Sequence, residues 1–132
     1  MQDELKNTIE QCSFTVMPGI WIYSRVTSAP KGKHFMVTQD EDEITVVTEK
    51  KREKELDVIE RNNDEWSLIS LNVSTPFYSV GFLAEVSRAI AEAGLNILVI
   101  STYSKDYILI KRDSLRLAKQ TLLKLGMNEL IR

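Results

Sequence analysis

Between Trp66 and Lys111 the spacing of apolar residues changes from two, to three or four, and back to two, so this stretch must fold as strand, helix, strand, strand. Trp66 to Val73 alternates, with Ile69, Leu71 and Val73 on one side and Ser70 and Asn72 on the other. Pro76 has no N–H to give to a ladder and ends the strand near Ser74. Val80, Leu83, Val86, Ile90 and Ala93 then recur at helical spacing, with Glu85, Arg88 and Glu92 opposite them. Ser79 offers an N-cap hydroxyl, and Gly94 sits where a left-handed residue would stop the helix.

Leu95 to Ile100 is apolar on both alternating faces apart from Asn96, which predicts a strand parallel to the first and interior to its sheet. The polar turn Tyr103 to Asp106 separates it from a second apolar run, Tyr107 to Ile110. Ser114 then caps a helix that places Leu115, Ala118, Leu122 and Leu125 on one face and stops at Gly126. The order β-α-β-β-α defines an α+β, ferredoxin-like unit that lacks only a convincing last strand. A strand apolar on both faces, beside helices that cover one, also predicts a homodimer or higher oligomer.

The N-terminal half reads differently. Met1 to Gln11 is polar with Leu5 and Ile9 at helical spacing, a frayed helical turn or a disordered start. Phe14 to Met17 and Ile20 to Val26 are short strands around Pro18-Gly19, and Thr27 to Lys33 is a loop. His34 to Thr38 and Ile44 to Thr48 form a hairpin closed by Gln39-Asp40-Glu41-Asp42-Glu43. Lys50 to Asn63, with KKREKE at its head, is a charged connector with one turn of helix. The expected organisation is a tail over 1–11, a mostly β module and connector over 12–63, and the strand–helix module over 64–132.

The 132 residues carry 17 basic and 19 acidic side chains, so no electrostatic footprint suits a nucleic-acid backbone. No apolar run approaches the roughly 20 residues of a membrane helix, and Met1 to Glu10 is unlike a secretory leader, so a cytoplasmic protein is expected. Cys12 is the single cysteine and has no metal-ligand neighbour. The acidic turn lacks the ligand spacing and glycine of a calcium loop. His34 is the single histidine, and no phosphate loop, zinc motif or nucleophile elbow accompanies it, so no catalytic residue, metal or cofactor is expected. The turn into the first helix of the 64–132 module is the candidate site. A helix N-terminus offers unpaired N–H groups and a positive dipole end to an anion, and Gly81 either admits a ligand to the backbone or permits tight helix packing.

The segment SVGFLAEVSRAIAEAGLNILVIS, followed by STYSKDYILIK, resembles the ACT domain, with a glycine-containing turn into its first helix and the Gly-apolar-Asn-Ile start of its second strand. Within that family it is similar to the regulatory modules of aspartate kinases and to small two-module ACT proteins related to the cytosolic arginine sensor of the TOR pathway. The resemblance implies two ACT-like modules, the N-terminal one abbreviated, and a regulatory protein that binds a free amino acid at Ser79, Val80, Gly81, Phe82, Asn96 and Asp106. The alternative it leaves is a dimerisation or interaction module without a ligand. Aspartate kinase modules hold the ligand's amino group on an acidic residue of the second strand, and the matching position here is Leu98; Asp106, in the STxxxDxIL pattern, would either replace that carboxylate or close its own turn.

Overall fold

A computed structural model describes residues 3–73 and 80–132. The chain forms two compact units, one of residues 18–66 and one of residues 1–17 with 67–132.

The larger unit opens with α1 (Asp3–Glu10) and β1 (Ser13–Val16), and continues through β6 (Trp66–Asn72), α2 (Phe82–Glu92), β7 (Leu98–Ser101), β8 (Asp106–Lys111), α3 (Leu115–Leu125) and β9 (Asn128–Glu129). Its strand order is β7-β8-β6-β1-β9. The place beside β6 that the last strand of a ferredoxin-like unit would take is held instead by the N-terminal β1, antiparallel to β6 in the register Thr15 with Ser70 and Ser13 with Asn72, and β9 pairs parallel to β1 on its outer side. The fold is α+β and ferredoxin-like, with a mostly antiparallel sheet.

Two expectations change here. β7 is an edge strand paired only to β8 among the described strands, and Val99 stands 43% exposed, because β8 occupies the place between β7 and β6. The N-terminal segment is two turns of helix anchored by Ile9, which is wholly buried, and Cys12 follows with its Sγ donating to the Thr8 carbonyl at 3.0 Å.

The core gathers Phe14, Ile69, Leu71, Phe82, Val86, Ile90, Ile108, Ile110 and Leu122 between the sheet and its helices. Helix α2 begins at Phe82, so Val80 belongs to the turn and is 91% exposed, and the buried stripe is Phe82, Val86 and Ile90 with Leu83 partly buried beside it. Gly94 follows the helix with φ +82°, the left-handed stop its position predicts. Ser114 makes no side-chain cap; it ends a short 3-10 turn over Arg112–Ser114 that leads into α3.

The smaller unit contains β2 (Trp21–Val26), β3 (Met36–Gln39), β4 (Ile44–Glu49) and β5 (Val58–Arg61) in the order β3-β4-β2-β5, all antiparallel. Asp40 closes the β3–β4 hairpin by accepting the N–H groups of Asp42 and Glu43, each at 2.9 Å, so the acidic run is turn chemistry. The charged segment is a 3-10 turn over Lys50–Glu55 followed by β5, whose Val58 and Ile59 stay largely exposed and gave no alternation to read.

Candidate ligand site

Gly81 is the N-cap of α2 and takes φ +85°, a left-handed conformation that costs an L side chain about 1–2 kcal/mol. Its carbonyl accepts the N–H of Glu85 at 3.0 Å, the first bond of the helix. Among the described residues no side chain caps the turn, and Ser79 lies outside them. The amides of this turn are followed by a Phe82 side chain buried in the core, so the backbone here is fixed from below. Above it lies α1: a Cβ at Gly81 would stand 3.2 Å from Cδ2 of Leu5.

Asp106 opens β8 and is only 6% exposed. Its Oδ1 accepts the Ser101 hydroxyl at 2.6 Å, directly across the hairpin. The start of β8 and the end of β6 lie together, since Lys105, Ser70 and Asn72 line one cleft, and α2 follows β6 in the chain. The Gly81 turn and Asp106 therefore belong to the same end of the unit. Asn96 does not join them. It is exposed and precedes β7, and Ser101, which pairs with Asp106, is five residues further on, about 16 Å along an extended chain. Leu98 is half-buried and pairs with Leu109 at that far end.

Sequence reasoning missed Leu5 and Ser101. Leu5 carried no signal beyond its spacing to Ile9, whereas Ser101 could have been found by pairing the hairpin outward from its turn.

Several other titratable groups serve the fold. Arg88 bonds Glu85 at 2.6 Å and Glu92 at 2.8 Å, which holds the Glu85 carboxyl below its usual range and the guanidinium above its own. Burial pushes the Cys12 thiol up. His34 has both ring nitrogens engaged: Nε2–H donates to the Lys31 carbonyl and Nδ1 shares a hydrogen bond with the Thr48 hydroxyl, each at 2.9 Å. Among the described residues no group of three or more His, Cys, Asp or Glu could hold a metal ion.

This order of elements, with helices on one face, is that of the regulatory ACT modules. Residues 61–124 match the family model of the ACT domain. It is homologous to the rat cytosolic arginine sensor for mTORC1 subunit 1, at 23% identity over 119 residues covering 80% of this chain and 36% of that protein. The chain thus spans about a third of the length of the curated relatives it matches. Among solved structures it is similar to a Vibrio cholerae protein of unknown function described as a possible transport protein, with TM-score 0.78, 23% identity and coverage of 94% and 97% of the two chains. A putative C-terminal regulatory domain of aspartate kinase from Porphyromonas gingivalis aligns with TM-score 0.62 and 15% identity over 89% and 98%. No helix among the described residues is long and apolar enough to cross a membrane.

Proposed function

We propose that the chain is a cytoplasmic regulatory protein that senses a free amino acid, with the ligand's carboxylate on the amides of Val80, Gly81 and Phe82, beside Ser79, and its amino group or side-chain cation near Asp106. The observation that carries this reading is the presence, at one end of an ACT domain, of a left-handed glycine opening a helix and a nearly buried carboxylate. The turn supplies N–H donors and the positive end of α2, which suit a carboxylate. Asp106 supplies the charge-assisted acceptor that an ammonium or guanidinium needs. The names of the relatives, an arginine sensor and an aspartate kinase regulatory domain, agree with an amino-acid ligand. Asn96 drops out of the contact set, because its place in the fold is remote from Asp106.

Ligand-biased assembly is the output, and the exposed edge of β7 with Val99 is the surface for a homodimer. The second reading, a dimerisation module without a ligand, rests on that same edge. A thermal-shift panel of the amino acids separates the two. A ligand at a hundred times its dissociation constant stabilises the folded state by about 2.7 kcal/mol, a shift of several degrees. Calorimetric titration of Asp106→Asn should then show weaker binding of that amino acid. If no amino acid shifts melting at millimolar concentration, the sensor reading fails and the dimerisation module stands.

A further inference from the structure

The sheet of the larger unit has a second face, turned away from the helices, and its polar residues are placed unlike the rest. Ile69 and Leu71 of β6 enter the core on the helix side, while Ser70, only 1% exposed, and Asn72 point the other way. Thr15, 5% exposed, stands beside Ser70 on β1. Two central strands that bury Ser70 and Thr15, with Asn72 half-buried beside them, where valine or leucine would pack forgo apolar burial, and polar groups in such a place are tolerated only when bonded.

They are bonded in a fixed direction. The Ser70 hydroxyl donates to Asn72 Oδ1 at 2.7 Å, which orients the amide. Asn72 Nδ2 then donates to Ser13 Oγ at 3.1 Å and to Thr15 Oγ1 at 3.3 Å. Thr15 therefore accepts within the network, its own proton is left to give, and no described residue takes it.

Thr15, Ser70 and Asn72 line a cleft of about 400 Å³, within the usual range for a small-molecule site. Among the described residues its charged side chains are Lys105 and Arg132, whose Nη1 donates to Met17 Sδ at 3.4 Å, and none is acidic, although the whole chain carries a net charge of -2. Leu130 and Ile131 form an apolar wall and are 57% and 78% exposed. A free hydroxyl donor at the floor, ammonium and guanidinium groups at the rim and an aliphatic wall together describe one kind of guest.

We propose that this cleft is a binding site for a small monocarboxylate with a short branched aliphatic body, its carboxylate on Thr15 and Lys105 and its body against Leu130 and Ile131. The site does not depend on the amino-acid reading. Asp106 shares the strand face of Ile108 and Ile110, which enter the helix-side core, so the two sites lie on opposite sides of the sheet.

The test uses the full chain, labelled with nitrogen-15, and three probes: isovalerate, isopentylamine, which keeps the body and reverses the head charge, and inorganic phosphate. Isovalerate should give saturable shifts at the amides of Thr15, Ser70, Asn72 and Lys105, isopentylamine none, and phosphate weaker shifts. Lys105→Gln, at an exposed position, should weaken isovalerate about fivefold or more, and Thr15→Val about tenfold. Asp106→Asn should leave the isovalerate affinity unchanged, which separates this site from the amino-acid site. Linear, unsaturable shifts, equal binding of isopentylamine, tighter binding of phosphate, or an unchanged affinity in Lys105→Gln would each overturn the proposal. Lys105→Gln decides the matter even if Thr15→Val fails to fold.

Discussion

Ser101 Oγ donates a 2.6 Å hydrogen bond to Oδ1 of the nearly buried Asp106, across a register pair that closes the β7–β8 hairpin. A carboxylate used for ligand capture is therefore also a structural acceptor, and its removal acts on the unliganded protein. Asp106→Asn keeps the acceptor but places amide donors in a nearly buried position, and should cost about 1–3 kcal/mol. Ser101→Ala removes one bond to a charged group and should cost a similar amount. Urea midpoints of the apo proteins measure both, and two unchanged midpoints would mean that Asp106 is held by something else.

The Gly81 turn gives a second expectation. Gly81→Ala introduces a side chain at φ +85° and should destabilise by about 1–2 kcal/mol. Part of that cost is contact with Leu5, whose flexible end lies 3.2 Å from the added Cβ, and Leu5→Ala removes this part while leaving the backbone strain. A double-mutant cycle on the two positions should therefore show coupling beyond the roughly 0.5 kcal/mol expected of independent sites. Additive effects would show that α1 does not rest on the turn.

Large-to-small changes test the helix faces. Ile90→Ala and Leu122→Ala remove wholly buried side chains and should each cost about 2–5 kcal/mol. Leu83→Ala should cost clearly less, since Leu83 is only partly buried, and Glu92→Ala should be nearly neutral. Similar small changes in urea midpoint for Ile90, Leu122 and Leu83 would contradict the assigned core.

The elements readable in the sequence are those whose own residues carry a period. β6, α2, β8 and α3 each show one, and Pro76, Gly94 and Gly126 punctuate them. What could not be read depends on partners remote in sequence. The two residues of β9 are a strand only because β1 stands beside them, and α1 is ordered because Ile9 finds a core made mostly from residues beyond 67. β7 looked interior because Leu95 to Ile100 is apolar, but local pattern does not record that β8 inserts between it and β6. At the site, Gly81 and Asp106 were chosen by residue type, and their shared end of the unit follows from strand order. The same order removes Asn96, and residue type alone gave no warning of that.

Cys12 links the N-terminal helix to pH. Its thiol is 3% exposed and donates to the Thr8 carbonyl, and burial raises its pKa above the ordinary cysteine value of about 8.5. The folded state therefore favours the neutral thiol. The contribution of this preference to stability is complete below about pH 8.5 and is lost as pH rises through the raised folded value. Cys12→Ala should flatten the alkaline limb of stability against pH, which urea midpoints on both sides of pH 8.5 would reveal. Iodoacetamide offers a kinetic check, because the thiolate is the reactive form and is both scarce and covered in the folded protein. Alkylation should be slow in buffer and fast in urea. A Cys12 that reacts equally fast in both would show that α1 opens freely, and the packing of Ile9 and Leu5 against the core of the larger unit would then have to be abandoned.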